Sequence, residues 1–177
     1  MPPVSTGGAG VVSTPDPVAA RSARVATRHW TPAVVPLGLL LMLLGLWAFL
    51  IPLIGPSVSF AYDTSSSWSF SARHWVYELL PAIAIFVGGL SLFVSRAGVG
   101  WLGALLAAVG GGWLAIAPAM HAVLGAGLLL PHFGGDAHRG LLIIAYFIGA
   151  GTLATYLAAY AHGLLSRRGV VRGSVRR

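Results

Sequence analysis

Nine side chains carry the groups with which this chain can do chemistry: Asp63, Arg73, His74, Glu78, His121, His132, Asp136, His138 and Arg139. Neutral imidazole nitrogens and carboxylate oxygens suit Zn²⁺ or Cu²⁺, so His74, Glu78, His121, His132, Asp136 and His138 are candidate ligands of a divalent metal. His74 and Glu78 stand four residues apart, which on a helix places them on one face. No His-Glu-x-x-His or comparable ligand motif orders the set. The clusters Ala-Arg-His at 72–74 and Ala-His-Arg at 137–139 serve equally as headgroup contacts and loop ion pairs. A second chemistry is bis-histidine haem, with His29 facing His162 or His74 facing His121. Cysteine is absent, which excludes disulfides, thiol catalysis and iron–sulfur ligation. No catalytic constellation emerges and no cofactor is expected; metal and haem stand as alternatives.

The elements that position these groups follow from composition. With 56% hydrophobic and 8% charged residues, the chain has too little polar surface to cover a water-soluble globule. Its mean hydropathy is +0.82. Charge is missing between Arg28 and Asp63, Glu78 and Arg96, Arg96 and Asp136, and Arg139 and Arg167. Each interval approaches or exceeds the ~20 residues that cross a bilayer core. In hydrocarbon the backbone must satisfy its own hydrogen bonds, so such runs are helices. The expectation is an all-α polytopic membrane protein with transmembrane helices over about 33–54, 75–95, 100–121 and 140–164.

Arginines set the orientation. Arg21, Arg24 and Arg28 precede the first span, Arg96 lies between the second and third, and Arg167, Arg168, Arg172, Arg176 and Arg177 close the chain. Only Arg73 and Arg139 fall in the other two loops, nine arginines against two, which predicts both termini in the cytoplasm of a bacterial cell. The net charge of +7 is then topological, and no nucleic-acid partner is expected. The absence of lysine, with abundant Ala, Gly and Val, points to high-GC, actinobacterial coding. Residues 1–30 read as a disordered cytoplasmic tail rich in Pro, Gly, Ser and Thr, and 167–177 as a basic one. The small residues before Ala61 fit a signal-peptide cut, but the preceding apolar run is too long for an h-region and lies too far from the start.

Between the tails the chain writes one phrase twice. GLWAFLIP at 45–52 and GGWLAIAP at 111–118 both read Gly-x-Trp, four apolar residues, Pro. FVGGLSLF at 86–93 and FIGAGTLA at 147–154 are also alike, offset by 61. This predicts two tandem hairpins in parallel duplication, 31–97 and 98–166. Trp47 and Trp113 are expected at one depth as interfacial anchors with wet indole N–H groups, and Pro52 and Pro118 as helix kinks or stops. LGLWAFLIPLIG and GGGWLAIAPAM resemble the SPW repeat, a bacterial two-helix membrane module with Gly-Leu-Trp followed by Ser-Pro-Trp. The signature stands here as Ile51-Pro52-Leu53 and Ala117-Pro118-Ala119, without the serine and second tryptophan. The resemblance covers about 37–155 and implies no catalytic activity.

Small residues recur every fourth position at Ala107, Gly111, Ala115 and Ala119, and at Ala150, Ala154 and Ala158 beside Gly151, Thr155 and Ala159. Such rows let backbones approach, so spans three and four are expected to form the tight pair, while the bulky span one faces lipid or a partner. Glu78 lies just inside span two, where an ionisable group is a functional candidate by default, although a helix N-terminus also favours a carboxylate. Arg139, Arg73 and His121 are its candidate partners. The expected function is that of a small non-catalytic membrane protein, an accessory subunit of a larger complex or a self-associating module. The alternatives are a metal- or haem-binding protein and an oligomeric transporter or channel lined by Glu78, Ser91, Thr152 and Thr155.

Overall fold

A computed structural model describes residues 33–60, 68, 70–94, 99–124 and 135–174, and among them there is no strand. His29, Asp63 and His132 lie outside the described residues. Four helical segments are long and apolar enough to cross a membrane: α1 (Val35–Val58), α2 (Ala72–Val94), α3 (Gly100–Val123) and α4 (Asp136–Ser166). Pro36 falls in the first turn of α1, where its missing N–H costs nothing. Ser71 caps α2, its hydroxyl accepting the His74 N–H at 3.2 Å. The sequence places the second and fourth helices a few residues late, because their opening turns carry the polar Arg, His and Asp that mark a span's edge. The last helix also continues to Ser174, into the expected basic tail, since no proline there forbids it.

Neighbours in sequence are neighbours in space. α1 packs along α2, α2 along α3 and α3 along α4, while α4 touches α1 over a smaller patch. α1 buries Gly38, Leu41, Gly45, Ala48 and Pro52, spaced at helical period, and turns Leu39, Leu40, Leu43 and Leu46 outward. Close approach is not confined to the third and fourth helices. A methyl group placed on Gly89 would lie 2.6 Å from the Met42 nitrogen and 2.8 Å from the Gly38 oxygen, so α1 and α2 meet backbone to backbone. α2 and α3 do so at Gly88 and Gly103. Span one's bulky letters hide this, because its two contact glycines are seven residues apart rather than four.

The triplet Gly110-Gly111-Gly112 is the hub. Successive helical residues point about 100° apart, so three adjacent glycines face three directions. Gly110 meets Pro81 and Ala84 of α2, Gly111 meets Gly151 and Thr155 of α4, and Gly112 has nothing within 4 Å. Ala107 packs on Gly88 of α2, while Ala115 lies against Gly151 of α4. Ala150, Ala154 and Ala158 are buried on the α4 side. Thr155 donates to the Gly151 carbonyl at 2.9 Å and lies 3.4 Å from that of Ala108.

Of the two expected roles, kink or stop, Pro118 does not take the second: α3 runs on to Val123 and carries His121 on its last turn. A proline removes one amide and crowds one carbonyl, which bends a helix but leaves the next turn able to form. Pro52 does sit near an end, two residues before the last α-helical residue, Ile54, and three before a 3₁₀ turn at Gly55–Val58.

Candidate functional site: a buried His-Glu-His group

The expected chemistry collects at the end of the bundle where α1 and α3 finish and α2 and α4 begin. Two π-helical turns lie there, Trp75–Leu79 in α2 and Ile144–Gly149 in α4, each a local widening by one residue per turn. In the first, the Leu80 N–H bonds back to the Trp75 carbonyl, five residues earlier. The next amide in that register belongs to Pro81, which has no hydrogen, so the Val76 carbonyl lacks a backbone donor. Trp113 of α3 supplies one, its Nε1–H donating to Val76 at 2.9 Å. Pro52 creates the same need in α1, because the carbonyl four residues back is that of Ala48. There the Tyr146 hydroxyl of α4 donates at 2.7 Å. Both of these proline-orphaned carbonyls are thus met by an aromatic donor from the other half of the chain.

The Trp113 bond gives that indole N–H a backbone partner in place of the water expected for it. Trp47 and Trp113 are similarly exposed, at 38% and 36%, and Trp113 donates its N–H to the Val76 carbonyl at an exposed position. Both indoles lie on a tyrosine of the opposite half: Trp113 stacks on Tyr77, centroids 6.5 Å apart, and Trp47 tilts against Tyr146 at 5.6 Å.

The aromatic frame encloses three ionisable side chains. His74, Glu78 and His121 are exposed by only 3%, 1% and 2%, and among the described residues the other buried side chains are apolar or small. His74 and Glu78 lie one turn apart on α2, as their spacing requires. His121 is carried by the last turn of α3. The Tyr77 ring meets the His121 imidazole in a T-shaped contact, centroids 5.2 Å apart and planes at 73°. Tyr146 and Phe147 of α4, both fully buried, pack beside this end of α3.

The remaining candidates stand elsewhere. Asp136 and His138 are exposed, and Asp136 pairs with Arg139 at 3.9 Å, a solvated contact of small energetic weight. His162 is exposed near the far end of α4, where Ser166 donates to its carbonyl at 2.9 Å. Among the described residues no three His, Asp or Glu side chains are arranged to hold a metal ion. A separate cavity of about 240 Å³ between α1 and α2, lined by Gly45, Leu46, Phe49, Ile83 and Phe86, offers only apolar contact.

Sequence reading picks out Glu78, His74 and His121 one by one but does not separate them from the other six candidates. Period and hydropathy do not reveal that all three are buried. No family model, curated protein or solved structure matches this chain.

Proposed function

We propose that the chain is a small, non-catalytic integral protein of a bacterial cell membrane, built from two tandem copies of one helical hairpin and working as an accessory subunit or self-associating module. Support for the duplication comes from the packing register. Gly45 against Phe86 in the first half corresponds to Gly111 against Thr155 in the second, which sets the odd helices 66 residues apart and the even helices 69 apart. The same offsets carry Trp47 to Trp113 and Tyr77 to Tyr146, so the two Trp–Tyr contacts are one contact exchanged between halves. The 61-residue likeness between FVGGLSLF and FIGAGTLA does not survive this comparison. It would bring Phe147 to the place of Phe86, yet Gly111 meets Gly151 and Thr155 instead.

The observation that carries the functional reading is the outward surface. Leu39, Leu43 and Leu46 on α1, Leu102, Leu105 and Val109 on α3, and Leu153, Tyr156 and Tyr160 on α4 all lie exposed. An apolar stripe on each helix suits lipid or a neighbouring membrane subunit and nothing aqueous. Affinity isolation of the full chain from native membranes in mild detergent is expected to recover either a second copy or a larger membrane assembly in fixed proportion. A monomer without stoichiometric companions would sink the accessory-subunit reading.

Orientation has a clean test because the chain holds no cysteine. Gly135→Cys introduces a thiol where a side chain meets open space, and Ser166→Cys one at the opposite end of the exposed α4 surface. A membrane-impermeant maleimide should label Gly135→Cys in intact cells and Ser166→Cys only after lysis. The reverse pattern would overturn cytoplasmic termini.

A further inference from the structure

The outward surfaces of the four helices are not alike. Between their end turns, the exposed residues of α1, α2 and α3 carry no hydroxyl, and α1 and α3 present bulky groups such as Leu39, Leu43, Leu102 and Leu105. α4 instead turns Thr152, Tyr156 and Tyr160 outward, four residues apart along one stripe, with Tyr156 exposed by 67% and Tyr160 by 54%.

Tyr156 stands deep in its span. Gly111 is eleven residues from Gly100 and twelve from Val123, so it marks the middle of α3, roughly 17 Å from either end at 1.5 Å per residue. Gly111 meets Gly151 and Thr155, which brings Tyr156 to within about one helical turn of that depth. In a bilayer no water is on hand there, and a hydroxyl left without a partner in an apolar medium is costly. Thr155 meets the need within its own helix, donating to the Gly151 carbonyl at 2.9 Å. A tyrosine hydroxyl, held at the end of a rigid ring, cannot turn back in this way. For a ring that faces outward, the partner has to come from outside the bundle.

We propose that the hydroxyl stripe of α4 is the face on which two copies of this chain associate, side by side about a two-fold axis normal to the membrane, with Tyr156 opposite Tyr156. This names the partner within the self-associating reading above and rests on that reading. Copies inserted with one orientation bring each residue of α4 to the depth of its own counterpart, so a seam between them must be complementary to itself. A hydroxyl meets that condition, because it both donates and accepts, and two identical hydroxyls complete a bond between themselves. The other polar groups on the outer surface of the spans do not. The exposed indole of Trp47 only donates, and that of Trp113 is already bonded to Val76. Lipid tails carry no acceptor at all. Ala159 and Gly163 continue the stripe beyond Tyr156 at steps of three and four, and they leave room for a second backbone: Ala159 is exposed, and a methyl group placed on Gly163 would meet nothing within 4 Å.

Because the chain holds no cysteine, single cysteines report the seam in native membranes. With a membrane-permeable copper–phenanthroline oxidant, full-length Ala159→Cys should form a covalent dimer, whereas Leu43→Cys on α1 and Leu105→Cys on α3, also exposed, should stay monomeric. In mild detergent, Tyr156→Phe should raise the dimer dissociation constant about 3- to 18-fold, the range for one interhelical hydrogen bond in an apolar setting. Leu105→Val should leave it unchanged. Tyr156 faces outward, so phenylalanine there keeps the fold of each copy, and the cross-linking comparison does not depend on that variant. Cross-linking at 43 or 105 in place of 159, or a Tyr156→Phe dimer as tight as the natural one, would overturn the proposal. A monomer held in fixed proportion within an assembly of other proteins would overturn it and leave the accessory-subunit reading standing. A monomer without companions would sink both.

Discussion

Gly111→Ala and Gly151→Ala should each destabilise the folded protein by about 1–3 kcal/mol, the usual cost of inserting a methylene into a close-packed contact. At Gly151 the new methyl would lie 2.5 Å from the Ala115 nitrogen and 2.6 Å from the Gly111 oxygen, and at Gly111 it would lie 2.8 Å from the Gly151 oxygen. All three are backbone atoms, so no side chain can swing aside and the helices must separate. Separation weakens every dispersion contact along the α3–α4 seam, which is the main attraction between helices in an apolar solvent.

The neighbouring residue supplies the control. Gly112→Ala adds the same methyl to the same turn where nothing lies within 4 Å. Removing a helical glycine there should leave stability unchanged or raise it by up to about 1 kcal/mol. Thermal unfolding of the three variants in one mild detergent gives the comparison. Equal losses at 111 and 112 would mean that the triplet matters for helix propensity or flexibility and not for direction of approach.

The glycine triplet marks a limit of what the residues reveal in order. Four charge-free intervals are enough to place four helices, because length and apolarity are local properties. Glu78 is conspicuous for the same local reason, a lone carboxyl just inside an apolar run. Which glycine of Gly110-Gly111-Gly112 faces which neighbour depends on helix phase and on partners 26 to 44 residues away, such as Ala84 and Thr155. The π turns are less visible still. Nothing in the periodicity of Trp-Val-Tyr-Glu-Leu or Ile-Ala-Tyr-Phe-Ile-Gly marks the widened turn, yet it decides that Pro81 leaves the Val76 carbonyl open. In the proposed duplication only Tyr77 and Tyr146 would carry the correspondence of the even helices in their letters, and one shared tyrosine in two apolar stretches is too faint to align them. The likeness of Phe-Val-Gly-Gly and Phe-Ile-Gly-Ala is stronger in letters and points to a different register from the one that the glycine contacts favour. Small apolar residues are interchangeable in an alanine-rich helix, while the contact that fixes depth is not.

Tyr146→Ala is expected to be the most damaging single substitution in the described fold, at about 3–5 kcal/mol for a fully buried aromatic truncated to a methyl. Its ring lies 4.7 Å from that of Phe147 and 5.6 Å from that of Trp47, centroid to centroid, so a cavity would open where the two halves meet. The hydroxyl has a separable role, because its partner carbonyl on Ala48 is the one that Pro52 deprives of an amide. Tyr146→Phe keeps the ring and removes the donor, leaving that buried carbonyl unmet at a cost of about 1–3 kcal/mol. Pro52→Ala restores a backbone N–H at the position that can bond to Ala48. In a Pro52→Ala background, therefore, Tyr146→Phe should cost much less than in the natural chain, with a coupling of about 1 kcal/mol in a double-mutant cycle followed by unfolding in detergent. Strict additivity would show that the carbonyl finds no substitute donor from the restored amide, and that the tyrosine is held by its ring alone. Coupling of the expected sign would identify the proline and the tyrosine as two parts of one device. The proline opens a hydrogen-bonding position on one half of the chain, and the tyrosine of the other half closes it, in surroundings where water is not on hand to do so.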